Sequence, residues 1–154
     1  MMRVAVDRSE KELETAIEVD LLEAGYVRGL GYNRDTCLDH DTLIAFIKTS
    51  QPVAWQKLEK HFKSDTANQI IARLVKELEL RGTLDVLRKG IDLFGQQIKL
   101  VYFKPEHGLS EQALARYKAN RLTVSRQVYY SNQHQKSLDM VLGVNGIPIV
   151  TMEL

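Results

Sequence analysis

A chain of 154 residues, 44% of them hydrophobic, is long enough to bury roughly two-thirds of its unfolded surface as one compact domain. Its 21 Lys and Arg against 20 Asp and Glu leave a net charge of +1, which supplies no global field to draw in nucleic acid, so any such contact must be local. The one cysteine, Cys37, has no disulfide partner, no charged-then-apolar leader opens the chain, and no apolar run approaches the roughly 18 residues of a membrane helix; a soluble, cytoplasmic protein with no membrane partner is expected.

The first helix is expected over residues 9–24: Ser9 and Glu12 have capping-box spacing, Leu13, Ile17, Leu21 and Ala24 make an apolar stripe, and Gly25 stops it. Residues 39–90 stay helical, with Asp39, Ser50, Ser64 and Thr83 as candidate N-caps, Pro52 in a first turn and Gly82 and Gly90 as stops, which makes about four short helices. The longest, at 65–81, sets Ile70, Ile71, Leu74, Val75 and Leu78 on one side and Glu77 and Arg81, four apart, on the other. After Gly90 the period changes to two, and residues 97–103 read as a strand closed by Lys104-Pro105. Ser110 caps a short helix to Lys118, residues 121–130 alternate as a second strand, and the polar run 131–136 is a turn. Residues 138–144 and 147–154, joined through Asn145-Gly146, form a hairpin. Helices first and strands last make an α/β or mixed α+β fold: one domain over 1–154, a central β-sheet flanked by helices, with the helical block at about 39–90 within it.

The hairpin carries the candidate chemistry. If the apolar rows Leu138, Met140, Leu142, Val144 and Val150, Met152, Leu154 lie on one side of the sheet, Asp139, Thr151 and Glu153 share the other. A strict two-residue Asn145-Gly146 loop pairs Asp139 with Met152 and separates the acids. A three-residue loop with Gly146 in a G1 bulge pairs Asp139 with Thr151 and leaves Glu153 diagonal to it, about 7–8 Å away at the backbone, close enough to share one hard cation. The same residues also fit a solvated polar face of a half-buried strand. On the first helix, Glu14 and Glu10 border the buried stripe and can lean over the sheet, or serve as acids near a helix N-terminus. His40, His61, His107 and His134 are scattered without zinc spacing, so no zinc site is expected.

Several segments, in order, carry a resemblance to a known family. They are Leu13-Glu14-Thr15-Ala16-Ile17 leading to Gly25-Tyr26, then Leu87-Arg88-Lys89-Gly90-Ile91, then Leu100 to Pro105. Asn120-Arg121-Leu122-Thr123-Val124-Ser125-Arg126-Gln127 follows, before Ser137 to Leu142, Asn145-Gly146-Ile147-Pro148 and Met152-Glu153-Leu154. Together they resemble the N-terminal nuclease region of the restriction subunit of type I restriction–modification enzymes, in the PD-(D/E)xK nuclease superfamily.

The resemblance implies that Asp139 is the first metal-binding acid, that Glu153 is the acid of an E-x-K half-motif with Leu154 as its middle residue, and that Glu14, with Glu10 as alternative, is the helix acid. It implies Mg²⁺-dependent hydrolysis of double-stranded DNA, with Asp139, Glu153 and the Leu154 carbonyl as ligands, and no sequence specificity in the domain itself. Methyltransferase and specificity subunits are the implied partners, and ATP is implied for a motor domain of the parent subunit, not for these residues. The motif lysine belongs one residue beyond Leu154, so the chain is expected to be a piece of a longer subunit that cuts little or not at all by itself. Arg121, Arg126 and Lys118, with Arg116, are candidate DNA-backbone contacts, as is the group Lys57, Lys60 and Lys63, although such charges are more often merely solvated. A rival reading from another class is a non-catalytic docking module, in which the helical block carries an assembly surface and the acids are structural.

Overall fold

The change of period after Gly90 marks a real change of structure, although the chain divides elsewhere. In a computed structural model, which describes residues 4–107 and 110–154, the chain forms two compact units: residues 1–39 with 121–154, and residues 40–120. The fold is of mixed α/β type. No helix among the described residues is long and apolar enough to cross a membrane.

The first unit begins with α1 (Val4–Glu23). Ser9 therefore lies inside the helix instead of capping it, because no glycine or proline among the preceding residues stops the helix from extending backwards. The other end is as expected: Gly25 takes φ +106°, and the Gly25 and Tyr26 amides donate to Leu22 and Leu21 carbonyls at 3.2 and 3.0 Å, a Schellman closure. The buried face differs from the expected stripe. Leu13 is 48% exposed, whereas Glu14 is 3% and Glu18 9% exposed, with Ile17 and Leu21 half-buried beside them.

A four-stranded mixed sheet completes this unit, in the order β1 (Val27–Arg28), β4 (Leu122–Tyr129), β5 (Ser137–Val144), β6 (Ile147–Met152). β1 runs parallel to β4, and the remaining pairs are antiparallel. β5 is interior, and Met140, Val141 and Val144 are buried on its two faces.

The second unit holds α2 (His40–Ser50), α3 (Pro52–Phe62), a 3₁₀ turn (Lys63–Asp65), α4 (Thr66–Arg81) and α5 (Thr83–Lys89), then a hairpin of β2 (Ile91–Leu93) and β3 (Gln96–Ile98), and α6 (Glu111–Lys118). The helix count from sequence holds, while three of the four cap assignments shift. Ser50 closes α2, donating to the Phe46 carbonyl at 2.7 Å, and Gln51 is the residue before α3. Ser64 is absorbed in the 3₁₀ turn, leaving Asp65 before α4; Thr83 is the first residue of α5, after Gly82 at φ +82°. Ser110 caps α6 as expected, accepting the Ala113 amide at 3.2 Å.

The strand expected at 97–103 is mostly not a strand. Only Gln96–Ile98 pairs, with Ile91–Leu93 across a turn in which Phe94 and Gly95 both have positive φ. Beyond it, side-chain amides replace a neighbouring strand. Gln51 bonds the Lys99 amide and carbonyl, each at 2.8 Å, and Asn120 bonds those of Tyr102 at 3.0 and 2.6 Å. Ile98 and Leu100 are fully buried, so the alternation in sequence reports alternating burial of an extended segment. The core of this unit is apolar: Leu43, Phe46, Ile47, Leu58, Ile70 and Leu74 are each 0% exposed.

Candidate functional site

The turn between β5 and β6 has two residues. Val144 pairs with Ile147, and Asn145 and Gly146 take φ +52° and +88°, the primed turn that Asn-Gly favours, in place of the expected three-residue loop. Asn145 is buried and pins the turn to the start of β4: its Oδ1 accepts the Arg121 amide at 2.7 Å and its own amide donates to the Arg121 carbonyl at 2.9 Å. A two-residue loop by itself would put the acids on opposite faces, and a bulge in β6 reverses this. Gly143 pairs with Pro148 but Leu142 pairs with Val150, so Ile149 is the extra residue. Pro148 has no amide proton to continue the ladder, which is why the irregularity falls there. The pairs then run Val141 with Thr151 and Met140 with Met152, and one step further sets Asp139 across from Glu153. The expected pairing of Asp139 with Thr151 is thus replaced by a direct apposition of the acids on one face.

Asp139 is half-buried, and both its carboxylate oxygens are engaged. Oδ2 accepts the Leu154 amide at 2.7 Å, and Oδ1 lies 3.4 Å from Gln127 Nε2. The Glu153 carboxyl is held above its ordinary range by partial loss of hydration, then by the like charge of Asp139 and by a hydrogen bond with it. Two carboxyl groups in this relation stabilise either a shared proton or a cation.

Glu14 enters from α1. Its Oε2 is 3.0 Å from both Arg126 Nε and Nη2, and its Oε1 accepts Gln127 Nε2 at 2.7 Å. One amide nitrogen of Gln127 therefore reaches both Glu14 and Asp139, while its Oε1 accepts the Ser137 hydroxyl at 2.9 Å. Gln127 has φ +50° within β4, a conformation that costs a residue other than glycine roughly 1–3 kcal/mol. Glu10, one turn before Glu14, is half-buried.

The candidate DNA contacts are dispersed over the two units. Arg126 is committed to Glu14, with further donations to Thr15 Oγ1 at 3.2 Å and the Lys11 carbonyl at 3.4 Å, and its side chain is 27% exposed. Arg121 is half-buried just before β4, and Lys118 is exposed at the end of α6 in the helical unit.

Several groups escaped the sequence reading. Beside the sheet, Glu18, Arg28, Arg34 and Ser125 help line a cavity of about 360 Å³, together with Arg126, already a candidate DNA contact, and Arg28 Nη2 is 3.2 Å from Glu18 Oε1. Asp39, placed as a cap from sequence, is fully buried and accepts the Leu30 amide at 2.9 Å. The Tyr32 hydroxyl has its pKa pushed up to about 12, first by burial, with a Thr123 hydrogen bond opposing and the Asp39 charge adding. Glu18 and Arg28 are ten residues apart and Leu30 and Asp39 nine, on either side of chain reversals that no helical or strand period spans, and Thr123 lies far along the chain from Tyr32.

A family model for the type I restriction enzyme R protein N terminus matches residues 7–154. The chain belongs to that family. No curated protein and no solved structure gives a significant match. In this R protein N-terminal region, no group of three or more His, Cys, Asp and Glu side chains gathers at metal-binding spacing among the described residues. What the hairpin offers is a pair of carboxylates, Asp139 and Glu153, with the Leu154 amide donating to Asp139. Such a set of hard oxygens suits Mg²⁺, which keeps several waters and is commonly held by one or two carboxylates together with substrate phosphate. Glu14 stands one side chain behind Asp139, linked to it through Gln127.

Proposed function

We propose that the sheet unit of this R protein N-terminal region is a Mg²⁺-dependent endonuclease site for double-stranded DNA, with Asp139 and Glu153 as metal ligands and the Leu154 carbonyl as a further oxygen donor. The observation that carries the proposal is the bulge at Ile149, which brings the two acids opposite each other although the Asn145-Gly146 turn alone would separate them. Polar residues scattered on a solvated face would need no such device. Bound there, Mg²⁺ would supply polarisation of a water and of a phosphodiester oxygen. Asp139 is oriented by the Leu154 amide, and Glu14 holds Arg126 and Gln127 in place behind it. The net charge of +1 fits a domain delivered to DNA by methyltransferase and specificity subunits, which would then supply the sequence specificity.

The proposal is tested by titrating Mg²⁺ or Mn²⁺ against thermal melting. The wild type is expected to gain melting temperature and Asp139→Ala to show no response; an unchanged wild type would count against the site. In the parent subunit, normal DNA cutting by Asp139→Ala or Glu153→Ala would remove the nuclease assignment.

One observation favours a second activity in the same chain. Residues 40–120 form a compact unit of their own, which exposes Leu80, Leu84 and Phe94 by 60–70%. A docking role for this unit predicts that Leu80→Glu with Leu84→Glu weakens assembly with the other subunits while leaving the metal response of melting unchanged.

A further inference from the structure

Gln127 lies in β4 between two regular ladder pairs, Arg126 with Met140 and Val128 with Leu138, yet its backbone adopts φ +50°. Nothing in a plain antiparallel ladder requires this, whereas the contacts of the side chain do. Gln127 stands across from Asp139 in the register of β4 and β5. Its Nε2 is 2.7 Å from Glu14 Oε1 and 3.4 Å from Asp139 Oδ1, and its Oε1 accepts the Ser137 hydroxyl at 2.9 Å. The partners fix which way the amide points, since the reverse orientation would set an oxygen against both carboxylates. The Glu14 end is itself immobilised, 3% exposed and held by Arg126.

We propose that Gln127 is a positioning residue, which ties the buried Glu14 to Asp139 and presets the Asp139 carboxylate for a divalent cation shared with Glu153. This inference rests on the cation site proposed above and adds the means by which α1 acts on it. Asp139 is held at both ends, Oδ1 by Gln127 and Oδ2 by the Leu154 amide, so the carboxylate is oriented before a cation arrives. The strained backbone at Gln127 is what lets one amide reach acids from two different elements.

The test is Mn²⁺ binding to the full chain, followed by the loss of the free-ion electron paramagnetic resonance signal, for the wild type, Asp139→Ala, Gln127→Gly, Gln127→Asn and Ser137→Ala. Glycine accepts the left-handed backbone, so Gln127→Gly is expected to fold, while its Mn²⁺ affinity falls about tenfold or more. Gln127→Asn keeps an amide on a residue that tolerates this conformation but cannot span both acids, and Ser137→Ala frees the amide to turn; both are expected to lose affinity by smaller factors. In the wild type, the side-chain amide resonances of Gln127 are expected to shift on Mg²⁺ addition, because a cation at Asp139 alters the hydrogen bond from Nε2, and an unshifted amide would count against the link. Affinity within about twofold of wild type in Gln127→Gly overturns the proposal; if that variant does not fold, unchanged affinity in both Gln127→Asn and Ser137→Ala does so. A wild type that binds no Mn²⁺ and cannot be told from Asp139→Ala overturns the cation site as well, and so separates the two failures.

Discussion

The helical unit and the sheet unit bury different chemistry. Residues 40–120 enclose aliphatic and aromatic side chains, and their buried polar groups, Thr42 and Thr66, are neutral hydroxyls. Residues 1–39 with 121–154 bury three carboxylic acids, Glu14, Glu18 and Asp39, together with the side-chain amide of Asn145. Burying an acid costs free energy unless partners are supplied, and the sheet unit supplies them: Arg126 and Gln127 for Glu14, Arg28 for Glu18, the Leu30 amide for Asp39. A core built only for stability would not need this network, which is why buried acids held by dedicated partners point to function. The helical unit derives its stability from packing, and the sheet unit gives up part of its own to hold charges in place.

That contrast can be broken at several points. Phe46→Ala, at a fully buried position of the helical unit, is expected to cost about 3–5 kcal/mol in urea unfolding, with Mn²⁺ affinity of the folded protein unchanged. Loss of cation affinity there would mean that the two units are not chemically separate. Glu14→Ala strands Arg126 and Gln127, and because the Arg126 side chain is 27% exposed the cost is expected to be smaller, roughly 1–3 kcal/mol, but accompanied by weaker Mn²⁺ binding. Stability lost without any change in binding would make Glu14 merely a core partner.

A subtler effect concerns Glu153. Its folded-state pKa is raised, so the native state holds its proton more tightly than the unfolded chain does. The contribution is full below the ordinary carboxylate range and is lost as pH rises through the higher folded value. Melting in chelator is therefore expected to fall slightly across that window, and Asp139→Asn, which removes the like charge, to flatten the slope. An identical slope in the variant would dissociate the two carboxyls. The smallest change is expected for Leu13→Lys: at 48% exposure the substitution should alter stability by no more than about 0.5 kcal/mol. A large loss would restore the apolar stripe read from sequence.

Much of the fold was legible because its signals are local. Gly25, Gly82 and Gly90 stop helices where the pattern ends, Ser110 caps α6, and Asn145-Gly146 turns the hairpin. The misreadings share a cause. Residues 97–103 alternate like a strand, but the groups that satisfy Lys99 and Tyr102 are side chains of Gln51 and Asn120, which no window around the strand contains. On α1, Leu13 leaves the expected stripe for solvent, while Glu14, expected at the border of that stripe, is fully buried because Arg126 and Gln127, more than a hundred residues later, supply its partners.

Asp139 and Glu153 illustrate the division most closely. Composition and alternation were enough to nominate both acids and to demand that they share a face, since burial of the apolar rows fixes which side chains point together. The device that meets the demand was not readable. An odd-length turn was expected, whereas the structure keeps the even turn that Asn-Gly prefers and inserts Ile149 after Pro148. Either solution satisfies the pattern of residues, because periodicity constrains only the parity of the register. Where the extra residue falls depends on ladder hydrogen bonds between strands, and these, like the reach of Gln127 from β4 to α1, exist only once the chain has folded.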